Sequence, residues 1–189
     1  MKKNPFIIAG VCLLLITTVV LAAWQWNIHT ATKKSQEYVA SLRSAMPESQ
    51  SALLEQRSDS AMPALFMDGT DFIGILELPG VNCALPVSAD WGQSSKFPCR
   101  FSGSLYDGSL QLGSTTQAGQ FDFYRQLSVG DSLFFTDMTG GRYGYAIADI
   151  CYRQHADSET LNSKAADLTI FIKNIYGFDY IILFCNTQK

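Results

Sequence analysis

The stretch that decides the fold lies near the C-terminus and reads DLTIFIKNIYGFDYIILFC over residues 167–185. It contains two runs of apolar, β-branched and aromatic residues on either side of a turn near Gly177, which is the pattern of a β-hairpin. Both runs are almost continuously apolar, whereas a strand with one solvated face alternates apolar and polar residues. We therefore predict two strands that are buried on both faces and that complete a β-barrel at the C-terminal end of the chain.

Upstream of this stretch, short β-type segments alternate with turns. The predicted strands cover residues 72–78, 82–87, 110–113, 132–137 and 142–152, with a hairpin turn at Gly140-Gly141. A short helix is predicted over residues 120–127 and a helical turn within 159–166, and residues 97–104 are predicted to be irregular. Many short strands between Gly and Asp turns are typical of an all-β barrel or sandwich.

The N-terminus has the pattern of a membrane anchor. Lys2 and Lys3 precede residues 6–24, which carry no charge. A helix of that length spans a hydrocarbon core of about 30 Å, and Trp24 and Trp26 stand at its far end, where amphipathic rings favour the headgroup level. We predict a retained anchor with the two lysines in the cytoplasm and the rest of the chain outside. The alternative is a cleaved signal peptide, which the length of the run and the poor cleavage site disfavour.

The sequence divides into three parts. Residues 1–26 form a cytoplasmic tip and the transmembrane anchor, 27–69 a helical or extended linker, and 70–189 the barrel domain. Residues 48–63 are rich in Ser and Gln and are interpreted as a stalk or a loose second helix.

Within the linker, Tyr38, Leu42 and Met46 recur at helical spacing and Val39 shares their face. This spacing predicts one amphipathic helix that ends near Pro47. Because the remainder is polar, we expect residues 27–66 to pack little against the barrel except through Tyr38, Val39 and Leu42.

Charge and cysteine content exclude some classes of function. The formal net charge is −3 and the basic residues are scattered singly, which does not support binding to nucleic acid. Cys83, Cys99, Cys151 and Cys185 would lie outside the cytoplasm, where disulfides form, and the sequence does not choose among their possible pairings. Their irregular spacing without a CxxC motif argues against a zinc site. We expect no metal and no cofactor.

A series of short motifs follows in order between about residues 70 and 187. They are FIGILELP at 72–79, LPV at 85–87, SGSLYDGSL at 102–110, GQFDF at 119–123, LSVGD at 127–131, FFTDM at 134–138 and DLTIF at 167–171. In this order and spacing the motifs resemble those of the sortase family. The resemblance implies an all-β fold, a sortase-like closed β-barrel with one or two short helices, preceded by an N-terminal transmembrane helix.

Sortases are cysteine transpeptidases, so the resemblance also implies where catalytic residues would stand. In the family a thiolate attacks the Thr–Gly bond of a sorting signal, a histidine moves protons and an arginine stabilises the oxyanion, before an amine resolves the thioester. The family's Gly-His-Asn corresponds to 113–115, so Ser114 replaces the histidine. Its Thr-Leu-x-Thr-Cys corresponds to 169–173, so Lys173 replaces the cysteine, and Phe184 stands where the arginine belongs. We predict a degenerate sortase that retains none of the three catalytic residues and in which Ser114, Lys173 and Phe184 are candidates for lining a peptide groove.

The predicted function is to bind a peptide or to assist surface-protein or pilus anchoring. The expected partners are the membrane and a sorting-signal peptide, a pilin or an intact sortase. Two enzymatic alternatives are a Ser114–Lys173 dyad and a relocated Cys185–His155 pair. A third alternative is a purely structural envelope protein. We favour Lys173 as a solvated strand-end lysine, Cys185 as a buried apolar filler and His155 as a solvated loop residue.

Overall fold

The computed structural model describes residues 5–46, 62–162 and 165–188. Lys2, Lys3 and all but the last two residues of the predicted stalk lie outside the described residues. The helices are α1 (Pro5–Ala45) and the short α2 (Ser158–Leu161). The strands are β1 (Leu65–Met67), β2 (Thr70–Leu78), β3 (Cys83–Ser88), β4 (Cys99–Ser102), β5 (Leu110–Thr115), β6 (Ser132–Asp137), β7 (Arg142–Arg153), β8 (Leu168–Lys173) and β9 (Tyr180–Thr187).

Eight of these strands close into a barrel. Their order around the ring is β2-β3-β4-β5-β8-β9-β7-β6, and β6 pairs again with β2. Among the described strands, β1 pairs with β2 alone and lies outside the ring. The β3–β4 and β5–β8 pairs are parallel and the other pairs are antiparallel. The predicted closed β-barrel is therefore confirmed, with the C-terminal hairpin β8–β9 as part of its wall.

The C-terminal hairpin is buried on both faces, as its apolar runs predict. Alternate residues point inward and join the main core: Leu168, Ile170, Ile172, Ile181, Leu183 and Cys185. The residues between them point outward. Three of these outward residues form a second cluster with Leu161 of α2: Phe171, Ile182 and Phe184. The segment that carries α2 therefore covers the outer face of the hairpin.

Residues 120–127 do not form the predicted short helix. They form successive turns that end in a single 3-10 turn at Tyr124–Gln126. Gly119 has φ +79°, and the Phe121 amide donates to the Thr115 carbonyl at 3.1 Å. The chain therefore folds back onto the end of β5 and does not continue as a helix.

Residues 97–104 contain strand β4, where the sequence predicted irregular structure. β4 is four residues long, which is too short to display a periodic pattern. It pairs with β3 on one side and with β5 on the other.

Helix α1 is continuous over 41 residues, so the predicted anchor and the predicted amphipathic helix join without a break at residue 26. Within the described residues it is the one helix long and apolar enough to cross a membrane. Its large apolar side chains from Leu13 to Trp24 are more than half exposed. This half of α1 therefore projects away from the barrel.

The second half of α1 packs on the outer surface of β2 and β3. Val39 and Leu42 are buried in a cluster with Phe72, Ile75 and Phe97. The Tyr38 ring lies with its centroid 5.5 Å from that of Phe72 and 5.2 Å from that of Phe97. This part of the linker therefore has a core of its own.

Polar and backbone contacts extend the α1 interface beyond this cluster. Gln36 Nε2 donates to the Ala84 carbonyl at 3.1 Å, and Arg43 pairs with Glu77, which also binds Arg142 Nη2 at 2.9 Å. Gly119 lies against the Ala31 backbone so closely that a Cβ on the glycine would stand 2.9 Å from the Ala31 carbonyl oxygen. The expectation that the linker touches the barrel only through Tyr38, Val39 and Leu42 is wrong.

Candidate functional site

Three adjacent strands bring Ser114, Lys173 and Tyr180 to one end of the barrel. The parallel β5–β8 pair places Ser114 opposite Ile172 and Thr115 opposite Lys173. The antiparallel β8–β9 pair places Lys173 opposite Tyr180. Residues directly opposite in such a pair lie about 5 Å apart, so Lys173 and Tyr180 are immediate neighbours.

These strand ends form the floor of a cavity of about 310 Å³ on the outer face of the barrel. Its lining residues are Trp91, Ser94, Phe101, Ser114, Thr115, Ala156, Phe171, Lys173 and Tyr180. The cavity therefore contains two of the three predicted groove residues, Ser114 and Lys173.

Three aromatic rings form one wall of the cavity. The ring centroids of Trp91, Phe101 and Phe171 lie 5.2 to 5.7 Å apart. The indole of Trp91 packs over Gly113 because that residue has no side chain: a Cβ there would stand 2.2 Å from Trp91 and 2.7 Å from Phe171. The glycine of the predicted Gly-His-Asn position therefore makes room for the aromatic wall.

Lys173 places a positive charge at this cavity. Its side chain is exposed, and across the described parts of the chain its ammonium makes no hydrogen bond or ion pair. No acidic side chain is found among the described residues that line the cavity. Arg153 of β7 pairs with Tyr180 of β9, which in turn pairs with Lys173 of β8. Arg153 therefore lies two strands from Lys173, about 10 Å away. The site is thus aromatic and cationic.

Ser114 is held in a structural hydrogen-bond network. Its hydroxyl donates to Gln120 Oε1 at 2.9 Å, and the same oxygen accepts from the Thr115 amide at 3.0 Å. Ser114 is 4% exposed, and its place in the strand alternation is that of the inward-facing Leu110 and Leu112, while Thr115 shares the face of Lys173. A Ser114–Lys173 dyad would need the hydroxyl to point at the ammonium, and the structure does not provide that geometry.

Phe184 does not lie at this site, which corrects the prediction that it lines the groove. It pairs with Thr169, four positions before Lys173, so it stands about 13 Å further along the sheet. It is 2% exposed and belongs to the cluster beneath α2. The side chain opposite Lys173 is that of Tyr180, which the sequence analysis missed.

A Cys185–His155 site is also contradicted by the structure. Cys185 points into the barrel core and pairs with Leu168, at the opposite end of β8 from Lys173. His155 is exposed in the segment after β7, beyond the Arg153–Tyr180 pair. Burial raises the pKa of the Cys185 thiol to about 12, whereas a nucleophilic thiol needs a depressed pKa.

All the cysteines in the described residues are free thiols. Cys83 and Cys151 are partly buried, Cys99 and Cys185 are buried, and Cys12 is exposed on α1. Burial raises the pKa of Cys99 to about 12 and that of Cys83 to about 11. The thiols of Cys83, Cys99 and Cys185 are therefore poor nucleophiles at neutral pH.

We expect Cys99 and Cys185 to be unreactive toward a disulfide reagent at pH 8 in the folded protein. Both are fully buried, and a pKa near 12 in place of 9.0 lowers the thiolate fraction by about a thousandfold. Counting reactive thiols before and after unfolding tests this. Cys185→Ala should leave the rapidly reacting number unchanged and lower the unfolded number by one; fast labelling of Cys185 would contradict the assignment.

No protein-family model and no curated protein sequence matches this chain. Solved sortase structures match its fold. Sortase D5 of Clostridium perfringens, described as a transpeptidase, has a TM-score of 0.57 at 17% identity over 85% of this chain and 99% of its own. Sortase C1 of Streptococcus agalactiae has a TM-score of 0.54 at 19% identity over 86% and 88%.

Sortase A of Corynebacterium diphtheriae gives a TM-score of 0.53 at 13% identity over 86% of this chain and 84% of its own. The protein therefore has a sortase-like fold, as the order of its sequence motifs implied.

Proposed function

We propose that this protein is a membrane-anchored, extracytoplasmic sortase-like protein that binds an extended peptide and does not cleave it. The observation that carries the proposal is Lys173 at the end of β8, facing Tyr180 across the hairpin. By the sortase resemblance this strand end is the place of the nucleophile, and here it presents an ammonium in place of a thiol.

Neither Lys173 nor Ser114 can replace the missing thiol. A protonated amine is a poor nucleophile, and Lys173 is exposed to solvent with no second basic side chain among the described residues that line the cavity. The Ser114 hydroxyl is engaged with Gln120. Neither side chain therefore supplies the nucleophile of a transpeptidase, and the proposed role of the cavity is to bind a peptide.

The cavity favours a ligand with an apolar side chain next to an anionic group. The rings of Trp91, Phe101 and Phe171 offer a large apolar surface with little conformational freedom to lose. The ammonium of Lys173 favours a carboxylate, which forms a charge-assisted hydrogen bond. We infer that the ligand is a peptide with a free C-terminal carboxylate, such as a cleaved sorting signal or a terminus of a pilin, presented where an intact sortase works.

We expect such a peptide to lose at least about tenfold in affinity when Lys173→Met removes the ammonium, because a hydrogen bond to a charged group contributes roughly 1.5–3 kcal/mol. The same peptide with an amidated C-terminus should bind equally to both forms. Titration of fluorescent peptides into the full-length protein in detergent measures this. Lys34→Met, which removes an exposed lysine on α1, is the matched control and should change neither affinity.

Three outcomes would contradict the proposal. Equal loss for the carboxylate and the amide would assign Lys173 a merely structural role. Failure of every peptide to bind would favour the purely structural envelope protein. Cleavage of the peptide by the unmodified protein would return the function to the enzymatic class.

A further inference from the structure

The loop between β8 and β9 carries exposed apolar side chains. We call Ile175, Tyr176, Gly177 and Phe178 the hairpin tip. Ile175 is 40% exposed, Tyr176 80% and Phe178 98%. Contiguous exposed apolar side chains of this kind mark a surface that contacts a membrane or another molecule.

Hydrogen bonds hold the hairpin tip in shape. The Asn174 amide donates to the Asp179 carbonyl at 3.1 Å, and Asn174 Nδ2 donates to Asp179 Oδ1 at 2.9 Å. The Tyr176 amide donates to Asn174 Oδ1 at 3.1 Å. The loop is thus closed at its base by polar groups, while its apolar side chains point away from the barrel.

The hairpin tip is joined to the segment that touches α1. The Ile175 amide donates to Thr116 Oγ1 at 3.1 Å, and the Thr116 amide donates to the Lys173 carbonyl at 3.1 Å. Three residues further on, Gly119 lies against the Ala31 backbone of α1. Residues 116–119 therefore bridge the hairpin tip and the helix.

This bridge lies on the side of the barrel from which the exposed half of α1 extends. Trp24 and Trp26 are the last large aromatic residues of the exposed half of α1. Ala31 follows Trp26 by five residues, which is about 8 Å of helix. The remaining contacts of α1, up to Arg43 with Glu77, lie further from the exposed half. Of these contacts, the one between Ala31 and the bridge is therefore nearest to the exposed half of α1.

We propose that the hairpin tip inserts into the lipid headgroup layer of the membrane that α1 crosses. This rests on the anchoring in the proposed function. Tyr176 and Phe178 supply the aromatic surface that favours the interface, as Trp24 and Trp26 do on α1. The protein then contacts the membrane at two places, α1 and the hairpin tip, so the barrel cannot rotate freely about α1. Because Lys173 and Tyr180 flank the tip, the cavity faces ligands held at the membrane surface.

The test is photocrosslinking of the full-length protein in vesicles of phosphatidylglycerol and phosphatidylethanolamine. p-Benzoylphenylalanine is placed at Phe178, at Phe66 or at Val20, and lipid adducts are counted by mass spectrometry. Phe66 is a matched control because it is 70% exposed. Phe66 pairs with Asp71 at the start of β2. Strands β2 and β8 run in the same direction and the hairpin tip follows the end of β8, so Phe66 and the tip lie at opposite ends of the barrel. Val20 reports on the anchor.

We expect lipid adducts at Val20 and Phe178, with about tenfold more at Phe178 than at Phe66. Adducts at Val20 alone, equal adducts at Phe178 and Phe66, or a protein adduct at Phe178 would overturn the insertion of the tip while leaving the anchor intact. Absence of adducts at all three positions would overturn the anchoring and the insertion together.

Discussion

The double variant Lys173→Cys with Tyr180→Arg is expected to react about tenfold faster at pH 7 than Lys173→Cys alone, with either a peptide chloromethyl ketone or iodoacetamide. The reason is that a cation within about 4–6 Å lowers the pKa of an acidic group such as a thiol by 1–3 units. Tyr180 is the residue that the hairpin register places opposite position 173. Position 173 is exposed, so the new thiol is accessible to reagent. Its thiolate fraction, and with it the rate, should rise when the guanidinium stands beside it.

Two controls make this result specific to the register. Lys173→Cys with Phe184→Arg tests the position that the sequence suggested for the arginine, and it should show no acceleration because position 184 lies about 13 Å along the sheet. Lys173→Cys with Tyr152→Arg adds the same charge at an exposed tyrosine on β7, two strands from position 173, and should also have little effect at 0.1 M salt, where charges are screened over about 10 Å. Equal acceleration by Phe184→Arg would show that Tyr180 is not the residue that lies beside position 173. Melting temperatures accompany each rate, because Phe184 is buried.

The barrel could be predicted from the sequence because its signals are local. Continuous apolar runs flank the Gly177 turn, and strand β6 coincides with the predicted residues 132–137. The same local signals place Ser114 and Lys173 at strand ends that the parallel β5–β8 pair then brings to one cavity. Strand β4 was missed because four residues carry no period.

The strand register that puts a residue opposite Lys173 does not follow from the order of the sequence motifs. Phe184 was selected by its position just before Cys185, which ignores the length of the hairpin loop. Counting outward from the turn would have paired 173 with 180, the residues that flank the six-residue loop 174–179. A shift of four residues along one strand moves a side chain about 13 Å, from the cavity to the cluster beneath α2.

The aromatic wall and the Ser114 network depend on contacts that no local pattern encodes. Trp91 comes from a 3-10 turn, Phe101 from β4 and Phe171 from β8, and their rings meet only once the barrel has closed. The engagement of Ser114 by Gln120 arises because the chain turns back at Gly119. A sequence signal existed for the wall alone: a glycine at position 113, beside a strand end, indicates close approach by another group.

Leu42→Ala is expected to lower the free energy of unfolding of the barrel by about 2–5 kcal/mol, the range for buried leucine truncations. The side chain is 0% exposed and packs in one cluster with Phe72, Ile75 and Phe97. The loss therefore opens a cavity between α1 and the outer surface of β2. For a protein of this size it corresponds to a decrease of roughly 5–15 °C in melting temperature.

Leu21→Ala is the matched control, because it makes the same substitution in the same helix. Leu21 is 56% exposed and lies in the half of α1 that projects away from the barrel. Both variants lose the same side-chain atoms and have the same change in helix propensity, so the difference between them isolates packing against the barrel. Unfolding is followed by near-ultraviolet circular dichroism of the full-length protein in detergent. Leu21→Ala should melt within about 2 °C of the unmodified protein, since surface substitutions usually change stability by less than 0.5 kcal/mol. Equal melting temperatures for the two variants would show that α1 only tethers the barrel, whereas the expected difference makes the region from Ala31 to Arg43 a structural part of the folded domain.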